Sequence, residues 1–129
     1  MIDMQHVTIL IMDDAHLIRQ LIVELLADIA NVRRIIEATD ARSAMQMFVE
    51  YHPQIAILDI QVPGDKNGMD VLKHLKRDAW APAVIMLTNH ATSSYRRACE
   101  QAGADYFFDK STEFEQITAA VTTLIQRSL

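Results

Sequence analysis

Short apolar runs alternate along the chain with longer segments in which hydrophobic side chains return every three or four positions. Residues 7–12, 34–38, 55–58, 83–87 and 106–108 have the length and the aliphatic or aromatic content of strands. Between and after them, residues 15–30, 41–51, 68–77, 92–102 and 113–127 have helical spacing. The first of these places Leu17, Ile18, Leu21, Ile22, Leu25, Leu26 and Ile29 on one broad stripe, and the last carries Phe114, Ile117, Val121, Leu124 and Ile125. Asp40 stands where an N-cap is needed, and Thr112 with Glu115 has capping-box spacing ahead of the last helix. Strict alternation of strand and helix, with strands apolar nearly throughout, predicts an α/β fold whose parallel sheet is covered on both faces. Right-handed crossovers then favour an open, doubly wound five-stranded sheet of order 2-1-3-4-5 with five helices.

The chain has 129 residues, enough for one domain with its own core, so residues 1–129 are read as a single domain. A formal charge of −5 without a stripe of Lys or Arg speaks against direct nucleic-acid contact. The single cysteine, Cys99, excludes an internal disulfide framework and suits a reducing compartment; packing as a small buried side chain is its expected role. No run approaches the ~18 apolar residues of a membrane span, and Met1 to His6 is too short and too acidic for a signal peptide. A cytoplasmic protein without membrane contact is expected. His6, His16, His52, His74 and His90 lack zinc-ligand spacing, and Gly64, Gly68 and Gly103 are too scattered for a P-loop or a dinucleotide fingerprint.

In sheets of this kind ligands bind outside the carboxyl ends of the strands. Asp13 and Asp14 follow the first strand, Asp59 the third, Thr88 the fourth and Lys110 the fifth. Three ionised carboxylates and one ammonium sum to −2, a costly excess in a crevice unless carboxylate pKa values rise or a cation binds. Oxygen ligands without a neighbouring Cys or His favour a hard ion, and Mg²⁺ fits better than zinc. Taken alone, Asp14 reads as a helix cap, and Thr88 and Lys110 as ordinary loop residues; their joint placement on the strand ends is what points to a site.

This set resembles the receiver domain of two-component response regulators, the chemotaxis-regulator-like, flavodoxin-like fold. The resemblance runs through DD after strand one, D after strand three with a following PG, T after strand four, and GADYFFDK ending at Lys110. It implies that Asp59 is a phosphoacceptor, taking a phosphoryl group from a sensor histidine kinase or a histidine phosphotransfer protein. It implies Mg²⁺ held by Asp14, Asp59 and the backbone carbonyl of Gln61, with Asp13 acting through a metal-bound water. Lys110 would neutralise phosphoryl oxygens, and Thr88 would swing towards them, coupled to the aromatic Phe107. Tyr106 and Phe108 should then share one face of the last strand and Phe107 the other. The readout surface would serve an unidentified downstream protein, and phosphorylation-dependent homodimerisation is compatible with it.

Three positions depart from the family pattern. Ser111 stands where proline usually follows the lysine in a cis peptide. A cis bond without proline costs ~2.5–4 kcal/mol, so a trans bond and a rearranged loop are expected. The loop PGDKNG is one residue longer than is common, and Asn89 replaces a small residue beside Thr88, where with Gln61 it would govern access of water. Trp80 is expected at the end of the sheet opposite Asp59. Two other functions compete: a Mg²⁺-dependent phosphohydrolase with an aspartyl nucleophile, which lacks the acid expected two residues after Asp59, and a docking domain that is never phosphorylated.

Overall fold

The computed structural model describes residues 5–127. Four residues of the segment Met1 to His6, weighed above as a leader, and the last two of the chain lie outside the described residues. The elements run β1 (Val7–Met12), α1 (His16–Leu26), β2 (Val32–Ala38), α2 (Ala41–Tyr51), β3 (Ile55–Leu58), α3 (Gly68–Lys76), β4 (Ala83–Thr88), α4 (Ser93–Gln101), β5 (Tyr106–Asp109) and α5 (Gln116–Arg127). The strands form one parallel sheet of order β2-β1-β3-β4-β5, with β1 between β2 and β3, as the sequence predicts.

Because side chains alternate across a strand, the sheet divides the core in two. Ile9 and Ile11 of β1, Ile55 and Ile57 of β3, Ile85 and Leu87 of β4 and Phe108 of β5 pack against α1 and α5. Leu10, Met12, Ala56, Leu58, Val84, Met86 and Phe107 pack on the other face with α2, α3 and α4. The six residues of β1 are all buried, which is why that strand reads as a nearly continuous apolar run, broken only by Thr8, without polar alternation. Tyr106 stacks on Phe108, with ring centroids 5.6 Å apart, on the face opposite Phe107.

Several ends differ from the sequence reading. α1 stops at Leu26 because its last turn tightens: the amides of Ala27 and Ile29 donate to the carbonyls of Glu24 and Leu26, three residues back. Its apolar stripe is also narrower than expected. Ile22 and Leu26 are buried, and Ile18, Leu25 and Ile29 pack beside them, whereas Leu17 and Leu21 remain exposed. β2 begins two residues early, at Val32. α5 begins at Gln116, so the Thr112–Glu115 capping box does not form; the Glu113 amide donates to the Asp109 carbonyl instead. Reciprocal boxes form at Asp40 with Ser43 and at Asn67 with Asp70, the second of which the sequence reading passed over.

The start of α3 lies hard against β3. A Cβ on Gly68 would overlap the carbonyl oxygen of Asp59, and the Gly68 amide donates to the Ile60 carbonyl at 2.8 Å. Trp80, 58% exposed, sits in the connection into β4 at the opposite end of the sheet from Asp59. Among the described residues no helix is long and apolar enough to cross a membrane.

Candidate functional site

The carboxyl ends of β1, β3, β4 and β5 bring the predicted polar residues together, because their apolar strands fix the directions in which the chain leaves the sheet. Asp13, Asp14 and Asp59 each offer a carboxylate oxygen, and these oxygens all lie within 4.8 Å of one another. Asp13 and Asp59 are buried, while Asp14 is exposed at the rim. Asp14 does not cap α1: Ala15 occupies the cap position without a side-chain bond, and its amide donates to Asp13 Oδ1 at 2.9 Å.

Lys110 enters this cluster as a buried cation. Its Nζ donates to Asp13 Oδ2 at 2.6 Å and to Asp59 Oδ2 at 2.8 Å. The Lys110–Ser111 peptide is trans, as are all the described peptides, and the lysine reaches the acids without the proline usual in this loop. Burial is the largest single influence on the Lys110 pKa and opposes the ammonium, yet the hydrogen bonds it donates to Asp13 and Asp59, with the charges of those carboxylates, together outweigh it and hold the pKa above its ordinary value. Burial also dominates at Asp59, where it raises the carboxyl pKa despite the bond from Lys110 and with a smaller push from the Asp13 charge. The remaining oxygen, Asp59 Oδ1, accepts one long bond of 3.3 Å from the Gln61 amide.

Thr88 is fully buried; its Oγ1 accepts from the His90 amide at 3.1 Å, and its carbonyl accepts from the Lys110 amide at 2.9 Å. Gln61 and Asn89 are exposed around the cluster. Phe107 is not part of it. That ring is buried on the α4 side of β5, with the Arg96 guanidinium 4.7 Å above it and Arg96 Nη1 donating to its carbonyl at 3.1 Å.

Arg19 contributes to the site and escaped the sequence reading. Its Nη1 donates to the Asp13 carbonyl at 2.8 Å, while its Nε pairs with Glu37 Oε1 of β2 at 3.0 Å. Side chains in a helix lean towards its N-terminus, so an arginine one turn into α1 reaches back to the loop before it; that spacing was the available signal. With carboxylate oxygens as its ligand atoms and a net negative charge after Lys110 is counted, the cluster fits a hard divalent cation.

The family model of the response regulator receiver domain matches residues 9–122. The Fimbriae Z protein of Salmonella typhimurium strain LT2 is 27% identical over 122 residues, which are 95% of this chain and 58% of that protein. The chain thus spans less than two thirds of that relative's length. Among solved structures, the receiver domain of the Francisella response regulator 1452 superposes with a TM-score of 0.84 at 19% identity, over 96% of this chain and all of that one (100%). The Mn²⁺-bound form of response regulator Rcp1 superposes with a TM-score of 0.76 at 22% identity, over 92% of this chain and 91% of the other. At such identities the structural likeness is one of fold, which here has the same doubly wound parallel sheet. With the family match spanning nearly the whole of the sheet and its helices, the chain belongs to the response regulator receiver domain family.

Proposed function

We propose that residues 1–129 form one receiver that takes a phosphoryl group onto Asp59 from the phosphohistidine of a sensor histidine kinase or a histidine phosphotransfer protein. The observation that carries this reading is the asymmetry of the Asp59 carboxylate. Oδ2 is held by Lys110 at 2.8 Å, and Oδ1 has only the long Gln61 contact, so one oxygen is anchored and the other is left to attack. Asp59 Oδ1 bonds to phosphorus as the N–P bond breaks, the electron pair leaves with the imidazole, and an acyl phosphate remains.

The carboxylates of Asp13, Asp14 and Asp59 and the backbone carbonyl of Gln61 are the residues that would hold Mg²⁺, with Asp13 acting through a bound water. Such an ion supplies neutralisation of the phosphoryl oxygens, the main requirement of this chemistry. The Mn²⁺ named for the Rcp1 structure supports a divalent ion here. Lys110 bridges Asp13 and Asp59 by bonding to both, and its ammonium is placed to turn towards an incoming phosphoryl oxygen. The Thr88 hydroxyl accepts from His90 and so keeps its own proton for donation to that oxygen. A move of Thr88 would disturb the loop into α4 and, through Arg96, the packing over Phe107. The surface of α4, β5 and α5 would then report the phosphorylation state to a downstream protein. Asn89 and Gln61, exposed beside the cluster, are placed to govern attacking water. The role is regulatory and cytoplasmic, with turnover limited to the protein's own phosphoryl group.

Intact-mass measurement after incubation with acetyl phosphate and Mg²⁺ tests the reading. The parent gains one phosphoryl group and Asp59→Asn gains none. A parent that stays unmodified overturns it.

A further inference from the structure

Lys110 has a long, flexible side chain, and two carboxylates on other strands depend on its placement. The backbone around it is held by several hydrogen bonds. Asp109 Oδ1 accepts both the Ser111 amide, at 2.8 Å, and the Ser111 hydroxyl, at 2.6 Å. The Asp109 amide donates to Glu113 Oε1 at 2.9 Å, and the Glu113 amide donates back to the Asp109 carbonyl at 2.8 Å. Arg96 Nη2 lies 3.5 Å from the same Glu113 oxygen. On the sheet side, the Lys110 amide donates to the Thr88 carbonyl. The residues on both sides of Lys110 are thus fastened to each other and to the start of the next segment.

We propose that Asp109, acting through Ser111, is a positioning residue that aims the Lys110 ammonium between Asp13 and Asp59. The Asp109 carboxylate closes a ring across Lys110 by bonding residue 111 on its far side, which fixes the direction of the Lys110 Cα–Cβ bond. The two Ser111 bonds also hold the Asp109 carboxyl below its ordinary pKa, consistent with a carboxylate that stays ionised and keeps accepting. Positioning of this kind matters because a small misplacement of a catalytic group is felt strongly in rate. The inference rests on the phosphoacceptor reading for its kinetic consequence only; the placement of Lys110 is testable without it.

The deciding experiment follows reductive methylation of Lys110 in the folded, chelator-treated full chain by peptide mass spectrometry. In the parent the buried, twice-bonded amine reacts slowly. Asp109→Ala exposes it and speeds its modification about tenfold, the equivalent of one hydrogen bond to a charged group lost, Asp109→Asn, which keeps an acceptor oxygen, stays close to the parent, and Ser111→Ala falls between. Ser111→Ala keeps the test decisive if Asp109→Ala folds poorly. In a second arm, the maximal rate of phosphoryl uptake from acetyl phosphate, measured at saturating Mg²⁺, falls in Asp109→Ala. Lys110 equally protected in parent, Asp109→Ala and Ser111→Ala overturns the proposal, even if Asp109→Ala melts earlier, since that pattern marks a loop-stabilising residue only. A parent that takes no phosphoryl group counts against the phosphoacceptor reading, and the methylation rates still decide this one.

Discussion

Lys110 Nζ lies 2.8 Å from Asp59 Oδ2, a contact between residues 51 positions apart in the chain. The pair does not neutralise the site. Asp59 keeps a raised pKa, so its burial costs more than the ammonium returns, and the acidic cluster is under electrostatic stress that binding of a cation relieves.

This stress has a definite pH dependence. A raised carboxyl pKa means that the folded protein binds the Asp59 proton more tightly than the unfolded chain does. Without metal, stability therefore falls as pH rises from the ordinary value of 3.8 through the raised one. Asp59→Asn removes the buried charge. In chelator at neutral pH the variant is expected to unfold at higher urea than the parent, and its advantage disappears as the pH is lowered towards 3.8. Urea melts across that range check it; a parent at least as stable at neutral pH would sink the argument.

Mg²⁺ is expected to reverse the stress. At a concentration about a hundredfold above its dissociation constant it adds ~2.7 kcal/mol to the stability of the parent. Asp13→Asn, which removes one of the clustered carboxylates, should lose most of that gain. Thermal melts with and without chelator give the comparison. Trp80 is a poor reporter for the same titration: it is exposed at the far end of the sheet, so its emission should change little.

Much of this arrangement was legible in the sequence, for a physical reason. Buried parallel strands are short apolar runs, and the polar residue that ends each run marks the binding edge, so Asp13, Asp59, Thr88 and Lys110 could be placed together before their distances were known. Helix ends were harder, because they depend on local hydrogen bonds that compete closely. Thr112 and Glu115 have capping-box spacing, yet Asp109 and Glu113 bond each other first and delay α5 to Gln116. Arg19 was missed because a charged residue beside an apolar stripe reads as solvated, and its link to the Asp13 carbonyl spans a loop whose path no periodicity describes. Leu17 and Leu21 show the opposite error: helical spacing marks a stripe but not how wide a strip the sheet can cover.

Gly68 is expected to tolerate no side chain. The atoms its Cβ would meet are the Asp59 carbonyl and the Ile60 Cα, which are backbone and cannot swing aside. Gly68→Ala should cost about 3 kcal/mol, the upper end for overpacking, and should shift Asp59 enough to slow phosphoryl uptake. Urea melts and intact mass after acetyl phosphate treatment measure the two effects. An alanine variant with parental stability would contradict the close approach of α3 to β3.

Cys99 is fully buried, with its Sγ 3.1 Å from Met69 Sδ, and burial pushes its pKa up to about 11. At pH 8 only about one thiol in a thousand is ionised, so a disulfide reagent should react with the folded protein no faster than the protein opens. Full, fast reaction in denaturant and near silence in its absence is the expected pair of results. Rapid labelling of the native chain would place Cys99 at the surface.

Arg19 gives the outermost strand a hold on the mouth of the acidic cluster. One guanidinium joins Glu37, on the sheet margin, to the peptide carbonyl of Asp13. Loss of the Glu37 pair would leave that guanidinium fastened at one end only, so the strand at the sheet's rim helps to hold still the peptide from which the Asp13 carboxylate springs.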